Sequence, residues 1–159
     1  TKPHMAVLGQ VPGTHFYRNV RRFQNVITDP EILIVRFDAQ LYFANTNYFK
    51  DKLKQFVREK GSELRLLIID GESLNALDSS AIYALEEILD FFANKGIAIA
   101  FSGLKGPVRD ALVKSQLMKK RRYDRCFMSI QEAVDSYRSN GFESPEGYSY
   151  QEYTKQANR

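Results

Sequence analysis

The chain has 159 residues, of which 43% are hydrophobic and 26% are charged, and its formal net charge is +4. This composition indicates one globular domain, and so small a charge disfavours a dedicated nucleic-acid-binding protein. No apolar run approaches the roughly 18 residues of a membrane-spanning helix, so we expect the fragment itself to be soluble. The single cysteine, Cys126, excludes an internal disulfide and is typical of a buried residue in a reducing compartment.

The first third of the chain predicts two strands and a helix. Apolar runs at residues 5–11 and 32–37 are typical of strands. Between them we expect a loop at residues 14–20, and after the second run a short return element at residues 41–43. Apolar side chains then recur at helical spacing, which predicts a helix over residues 46–61.

The centre of the chain predicts a strand, a loop and a helix. Residues 66–69 form an unbroken apolar run, as in a strand buried on both faces. Apolar residues return at helical spacing over residues 82–92. Asp78 precedes this pattern, and its short acceptor side chain makes it the expected N-cap of the helix.

The last third predicts two further strands and two further helices. The strands are expected at residues 97–101 and 126–128. Pro107 is placed to start one helix, since proline is favoured in a first helical turn. Ser129 opens a capping-box motif for a final helix, which Gly141 ends.

Strands that alternate with helices predict an α/β fold, with a central, mostly parallel β-sheet of four to five strands and about four α-helices. We expect a single domain over residues 1–141. Residues 142–159 are polar with scattered tyrosines and no aliphatic period, which indicates a mobile C-terminal tail.

The carboxyl ends of the parallel strands are the expected location of a site, because ligands of such sheets gather at that edge. Four residues occupy it directly: Asp70, Gly71, Ser102 and Gly103. A protein partner, an anion or a nucleotide are the candidate ligands there.

The Asp78-Ser79-Ser80 sequence, which we expect at the same edge, is a second candidate, as a phosphorylation or regulatory site at the start of a helix. A phosphate on Ser79 would be favoured by the helix dipole by roughly 0.3–1 kcal/mol. Asp78 would repel it by a comparable amount. A phosphate would therefore change the local surface rather than unfold the domain, and the residues alone favour a plain helix cap.

A dense basic patch precedes the last strand. It consists of Lys119, Lys120, Arg121, Arg122 and Arg125. Anionic lipid headgroups would be attracted by about 1 kcal/mol for each basic residue. An acidic protein partner and a solvated helix end are the alternatives.

The sequence does not predict an enzyme. His4 and His15 both lie in the first segment, and no cluster of cysteines and histidines has metal-ligand spacing. No glycine-rich loop has the spacing of a phosphate-binding or dinucleotide-binding motif. We therefore expect no metal and no cofactor.

The central segment resembles the signature of the STAS domain. The resemblance is carried by Asp78-Ser79-Ser80-Ala81, by the loop at residues 71–77 that follows a buried strand, and by Ala-Leu-Glu-Glu at residues 84–87. Free-standing STAS proteins are bacterial anti-sigma factor antagonists, which are switched by phosphorylation of the hydroxyl residue after the aspartate. The resemblance implies the STAS fold and assigns that role to Ser79.

Two further segments resemble the STAS domain of sulfate permease (SulP) anion transporters. They are the opening residues, through Val-Pro-Gly-Thr at 11–14 and on to residue 22, and residues 41–50. Residues 1–25 would then include the join to a membrane domain. The absence of an initiator methionine fits a fragment of a longer protein, and a trimmed chain would look the same.

This resemblance implies a regulatory or interaction domain on the cytosolic side of a secondary transporter of sulfate or bicarbonate. Its first partner would be the transmembrane domain of the same polypeptide, and it allows a homodimer, an acidic protein, a kinase or anionic lipid as others. The alternative is a free-standing antagonist that is switched by serine phosphorylation and binds a kinase.

Overall fold

The computed structural model of the chain describes residues 4–115 and 125–142. Its strands are β1 (Met5–Gln10), β2 (Tyr17–Asn19), β3 (Ile32–Phe37), β4 (Leu66–Asp70), β5 (Ala98–Ser102) and β6 (Cys126–Phe127). Its α-helices are α1 (Thr46–Lys60), α2 (Ser79–Ala93), α3 (Gly106–Lys114) and α4 (Ile130–Asn140).

The strands form one mixed sheet in the order β2-β1-β3-β4-β5-β6. β3 to β6 are parallel, whereas β1 pairs antiparallel with both β2 and β3. The predicted α/β class and mostly parallel sheet are confirmed. The sheet has six strands, however, where four to five were expected.

The difference in strand number comes from β2, in a segment predicted to be a loop. The polar sequence Tyr-Arg-Asn has no apolar alternation that would indicate a strand. It pairs with β1 through the backbone: Val11 N–H donates to the Phe16 carbonyl at 2.8 Å and Val20 N–H to the Val7 carbonyl at 3.0 Å. The return element expected at residues 41–43 is instead a single 3-10 turn, Phe43–Asn45.

Two clusters of buried side chains cover the two faces of the sheet, because successive strand residues point to opposite sides. On one face α1, α2 and α3 pack against residues such as Val35, Leu67 and Ile99. On the other face α4 packs against residues such as Ile34 and Ile68. The domain therefore has three layers, with helices outside and the sheet between them.

Side-chain caps begin the two helices for which they were predicted. The Asp78 carboxylate accepts a hydrogen bond from Ala81 N–H at 2.8 Å, which confirms it as the N-cap of α2. The Ser129 hydroxyl accepts from Glu132 N–H at 3.1 Å at the start of α4. Only half of the predicted capping box forms there, since the Glu132 carboxylate accepts from Met128 N–H instead.

The end of the described chain belongs to the core. Phe142, which the sequence places at the start of the tail, is buried, with ring centroids 6.0 Å from Phe127 and 5.6 Å from Tyr137. The remainder of that predicted tail lies outside the described residues. Cys126 is buried, as expected. Within residues 4–115 and 125–142, no helix has the length and apolar character needed to span a bilayer.

Candidate functional site

Three polar side chains meet where the parallel strands end. Arg36, Asp70 and Ser102 are direct register partners at the carboxyl ends of β3, β4 and β5. Each follows a run of apolar residues in its strand, so the polar side chains of β3, β4 and β5 are confined to the carboxyl ends of these strands. The sheet register alone thus places a carboxyl group between a guanidinium and a hydroxyl.

Asp70 is the most perturbed acid of this edge. Its side chain is almost fully buried, and this burial raises the pKa of the carboxyl from 3.8 to about 6. The Glu72 charge adds to the rise, whereas Glu72 N–H at 3.3 Å, the Arg36 charge and the Ser102 hydroxyl at 3.5 Å oppose it. Desolvation outweighs these partners, so the carboxyl changes charge close to neutral pH.

Two glycines let the backbone approach this carboxyl. A Cβ on Gly103 would lie 3.1 Å from Asp70 Oδ1, and the glycine has a φ of +66°, which side-chain-bearing residues rarely adopt. A Cβ on Gly71 would lie 2.6 Å from the buried Leu104 side chain. The turns after β4 and β5 can therefore pack closely around Asp70 only because they contain glycine.

A cleft of about 540 Å³ opens above Asp70. It lies between β2 with its preceding turn, the ends of β3, β4 and β5, and the start of α4. Charged and apolar side chains both line it, among them Phe16, Arg18, Arg36, Asp70, Glu72 and Met128. Of the four predicted edge residues, Asp70 and Gly103 line this cleft. Gly71 and Ser102 do not line it, and Gly71 N–H donates to the Ser102 carbonyl at 3.0 Å.

Sequence reasoning missed the wall of the cleft opposite the strand ends. There the Tyr17 hydroxyl donates to Gln131 Oε1 at 2.7 Å and joins β2 to the first turn of α4. Burial raises the pKa of Tyr17, so the group stays a neutral donor. Arg36 was also missed, although a single charge near the end of the apolar run at residues 32–37 was a usable signal.

Asp78 and Ser79 lie at the start of α2 and do not line the cleft. The residues predicted to share one edge therefore form two separate places: a cleft around Asp70 and an exposed helix start at Asp78. The Asp78 carboxylate caps the helix, and the Ser79 side chain is exposed while Ser80 is half-buried. The loop that leads there is held by Gln40, whose side chain donates to the Ser73 carbonyl and accepts from Asn75 N–H.

The predicted basic patch falls mostly outside the described residues, which is where Lys119, Lys120, Arg121 and Arg122 lie. Arg125 is described and is buried rather than on the surface. Its guanidinium donates to the Phe142 carbonyl at 2.9 Å and lies 4.8 Å from the ring centroid of the same residue. Arg125 therefore anchors Phe142, two residues after the end of α4, and its burial excludes it from an exposed patch.

No group of three or more metal-ligating side chains occurs in the described ranges 4–115 and 125–142. The cleft offers hydrogen-bond donors, apolar surface and one carboxyl, that of Asp70, with a raised pKa. These features are suited to binding.

Comparison with known proteins identifies the family. The STAS domain family model matches residues 24–133, which is more than half of the chain. The chain belongs to the STAS domain family. The resemblance read from Asp78-Ser79-Ser80 is thereby confirmed, together with the STAS fold.

The relatives of this STAS domain are sulfate transporters. Sulfate transporter 1.3 of Arabidopsis thaliana is 28% identical over 144 residues, which cover 86% of this chain and 22% of that protein. The chain therefore spans about a fifth of the length of this transporter.

Solved structures agree on the fold. The STAS domain matches the murine anion transporter Slc26a9 with a TM-score of 0.79 at 24% identity, over 87% of this chain and 22% of that one. An anti-sigma factor antagonist of Thermotoga maritima matches with a TM-score of 0.60 at 20% identity, over 70% of this chain and 91% of that one.

Proposed function

We propose that this STAS domain is the regulatory and interaction domain of a SulP-type secondary anion transporter, on the cytosolic side of the membrane. One observation carries the proposal: similarity to a sulfate transporter extends over 86% of the chain, beyond the residues 24–133 that the family model matches. Sulfate or bicarbonate would be the transported anion, and the transport residues would lie in membrane helices outside this sequence.

The transmembrane domain of the same polypeptide is the proposed first partner. β1 begins at Met5 and pairs on both sides, with β2 and β3. A membrane domain attached ahead of β1 would thus be connected to the interior of the sheet. Movement of the STAS domain could then alter transport, assembly or trafficking.

Fractionation of native cells tests this proposal. With an antibody raised to the 18.3 kDa chain, we expect a band several times that mass, confined to the membrane fraction. A known soluble protein and a known membrane protein serve as controls on the same blot. A band near 18 kDa in the soluble fraction would overturn the transporter proposal.

A second candidate function is a free-standing antagonist that is switched by phosphorylation of Ser79. The exposed Ser79 side chain at the start of α2 favours it, because Asp78 supplies the cap and leaves the Ser79 hydroxyl available to a kinase. An added phosphate would carry a charge of about −1.5 to −2. It would change the surface that a kinase contacts.

Under this second function, the Ser79→Asp variant is expected to lose binding to an anti-sigma kinase, with less than about 0.5 kcal/mol change in the free energy of unfolding. Ser62→Asp, at an exposed turn after α1, is the matched control and should bind as the parent does. Binding can be measured by pull-down and stability by urea titration. Equal capture of all three proteins would contradict the switch.

A further inference from the structure

Apolar side chains stand exposed at the mouth of the Asp70 cleft. Phe16 is 60% exposed and Met128 is 50% exposed, and both line the cavity. Exposed large apolar side chains that gather at a concave surface mark binding sites more often than scattered ones do. A volume of about 540 Å³ is also within the usual range for small-molecule sites.

The charges of the cleft suit a ligand with one negative charge. Arg18 donates to the Tyr17 carbonyl and lies 5.2 Å from the Phe16 ring, and no carboxylate pairs with it in the part of the chain that the structure describes. Arg36 is already held by two hydrogen bonds to Asp38. Arg36 is paired with Asp38 and two acids line the cleft, so the cleft has too little positive charge to neutralise a polyphosphate. The single negative charge of a carboxylate or sulfonate would be balanced by Arg18.

Asp70 forms the floor of this cleft, and its charge decides what can enter. The charged or titratable groups around it are Arg36 on β3, Glu72 after β4, and His15 and Arg18 on the β2 side, while the facing parts of β5 and α4 supply no such group to the lining. As a carboxylate, Asp70 repels an incoming anion in a partly desolvated site. As a neutral acid it does not repel the anion, and it gains a hydrogen to donate.

We propose that this cleft binds a small organic anion with an apolar body, and that Asp70 takes up a proton when the anion binds. Arg18 pairs with the anionic group, and Phe16 and Met128 cover the apolar body. The assignment concerns the STAS domain itself and holds whether or not the domain belongs to a transporter.

Proton and anion then bind with positive coupling, and each raises the affinity for the other. Because the pKa of Asp70 is about 6 before the anion binds, affinity is highest below that pH. It falls as the pH rises and the carboxylate forms. At pH 8 the Asp70 carboxylate lies a few ångströms from the bound anion, and the repulsion between the two charges is only partly screened by water. We therefore expect the affinity to be at least about tenfold weaker at pH 8 than at pH 5.

The fluorescent probe 8-anilinonaphthalene-1-sulfonate, which carries one sulfonate on an aromatic body, tests the proposal with the 159-residue chain. Titrations at pH 5 and pH 8 are expected to show one saturable site with the tenfold preference for pH 5. Circular dichroism at both pH values confirms that the domain remains folded. Arg18→Ala should weaken binding about tenfold at pH 5, whereas Arg58→Ala, at the exposed end of α1, should leave binding unchanged.

The Asp70→Asn variant tests the role of the proton independently of the existence of the binding site. This variant should bind the probe with nearly equal affinity at pH 5 and pH 8, because its floor is neutral throughout. Absence of saturable binding at pH 5, or binding that Arg18→Ala leaves unchanged, would overturn the assignment of the site. Retention of the full pH dependence in Asp70→Asn would overturn the role of Asp70.

Discussion

At pH 8, the Asp70→Asn variant is expected to be more stable than the parent domain by up to about 3 kcal/mol. The pKa of Asp70 is raised from 3.8 to about 6 by burial, so the folded domain holds the proton more tightly than the unfolded chain. Each unit of pKa difference is worth about 1.4 kcal/mol. The contribution of Asp70 to stability is therefore intact below about pH 4, falls between pH 4 and 6, and stays lost above pH 6.

Urea unfolding at pH 4 and pH 8 measures this effect. The gain from Asp70→Asn should be large at pH 8 and small at pH 4, where the carboxyl is neutral in the folded domain and roughly half ionised in the unfolded chain. Asp110→Asn, on the exposed side of α3, removes the same charge and should change stability by less than about 0.5 kcal/mol at either pH. A loss of stability in Asp70→Asn at pH 8 would mean that Arg36 and Ser102 more than offset the desolvation of the carboxylate.

The Phe49→Ala variant is expected to lose about 3–5 kcal/mol of unfolding free energy. Phe49 lies on α1, is 1% exposed, and contacts Phe37 of β3 edge to face with ring centroids 4.5 Å apart. Truncation removes apolar surface from the core and leaves a cavity between the helix and the sheet. The loss of the aromatic pair adds to the cost.

The matched control is Tyr83→Ala, an aromatic truncation on α2 at a side chain that is 67% exposed. It should shift the urea midpoint only slightly, because little area is exposed to water by the change. A cost below about 1 kcal/mol for Phe49→Ala would show that α1 contributes little to the cohesion of the domain, contrary to its position in the core.

Hydrophobic patterning accounts for most of the fold. The runs at β3, β4 and β5 and the helical spacing of α1 and α2 are visible in the sequence because each element buries one side or both. β2 was not predicted, since its three residues pair through the backbone and bury only Tyr17. Edge strands held mainly by backbone hydrogen bonds leave little trace in apolar periodicity.

The site, like the fold, was predicted from the sequence only in part. Asp70 and Gly103 were predicted from the rule that parallel strands end at one edge. The opposite wall depends on Tyr17 and Gln131, which are 114 positions apart and meet only because α4 packs beside the β1–β2 hairpin. Arg125 shows the reverse error: a charge that looks exposed in the sequence is buried because Phe142 accepts its hydrogen bond and covers it.

The place of β1 within the sheet has a mechanical consequence. A force applied along the chain ahead of Met5 would act parallel to β1, which is hydrogen-bonded to β2 on one side and to β3 on the other. The bonds to both neighbours lie across the direction of pull, so they bear the load together rather than opening one after another. A tether at this end would therefore transmit tension to both neighbouring strands at once.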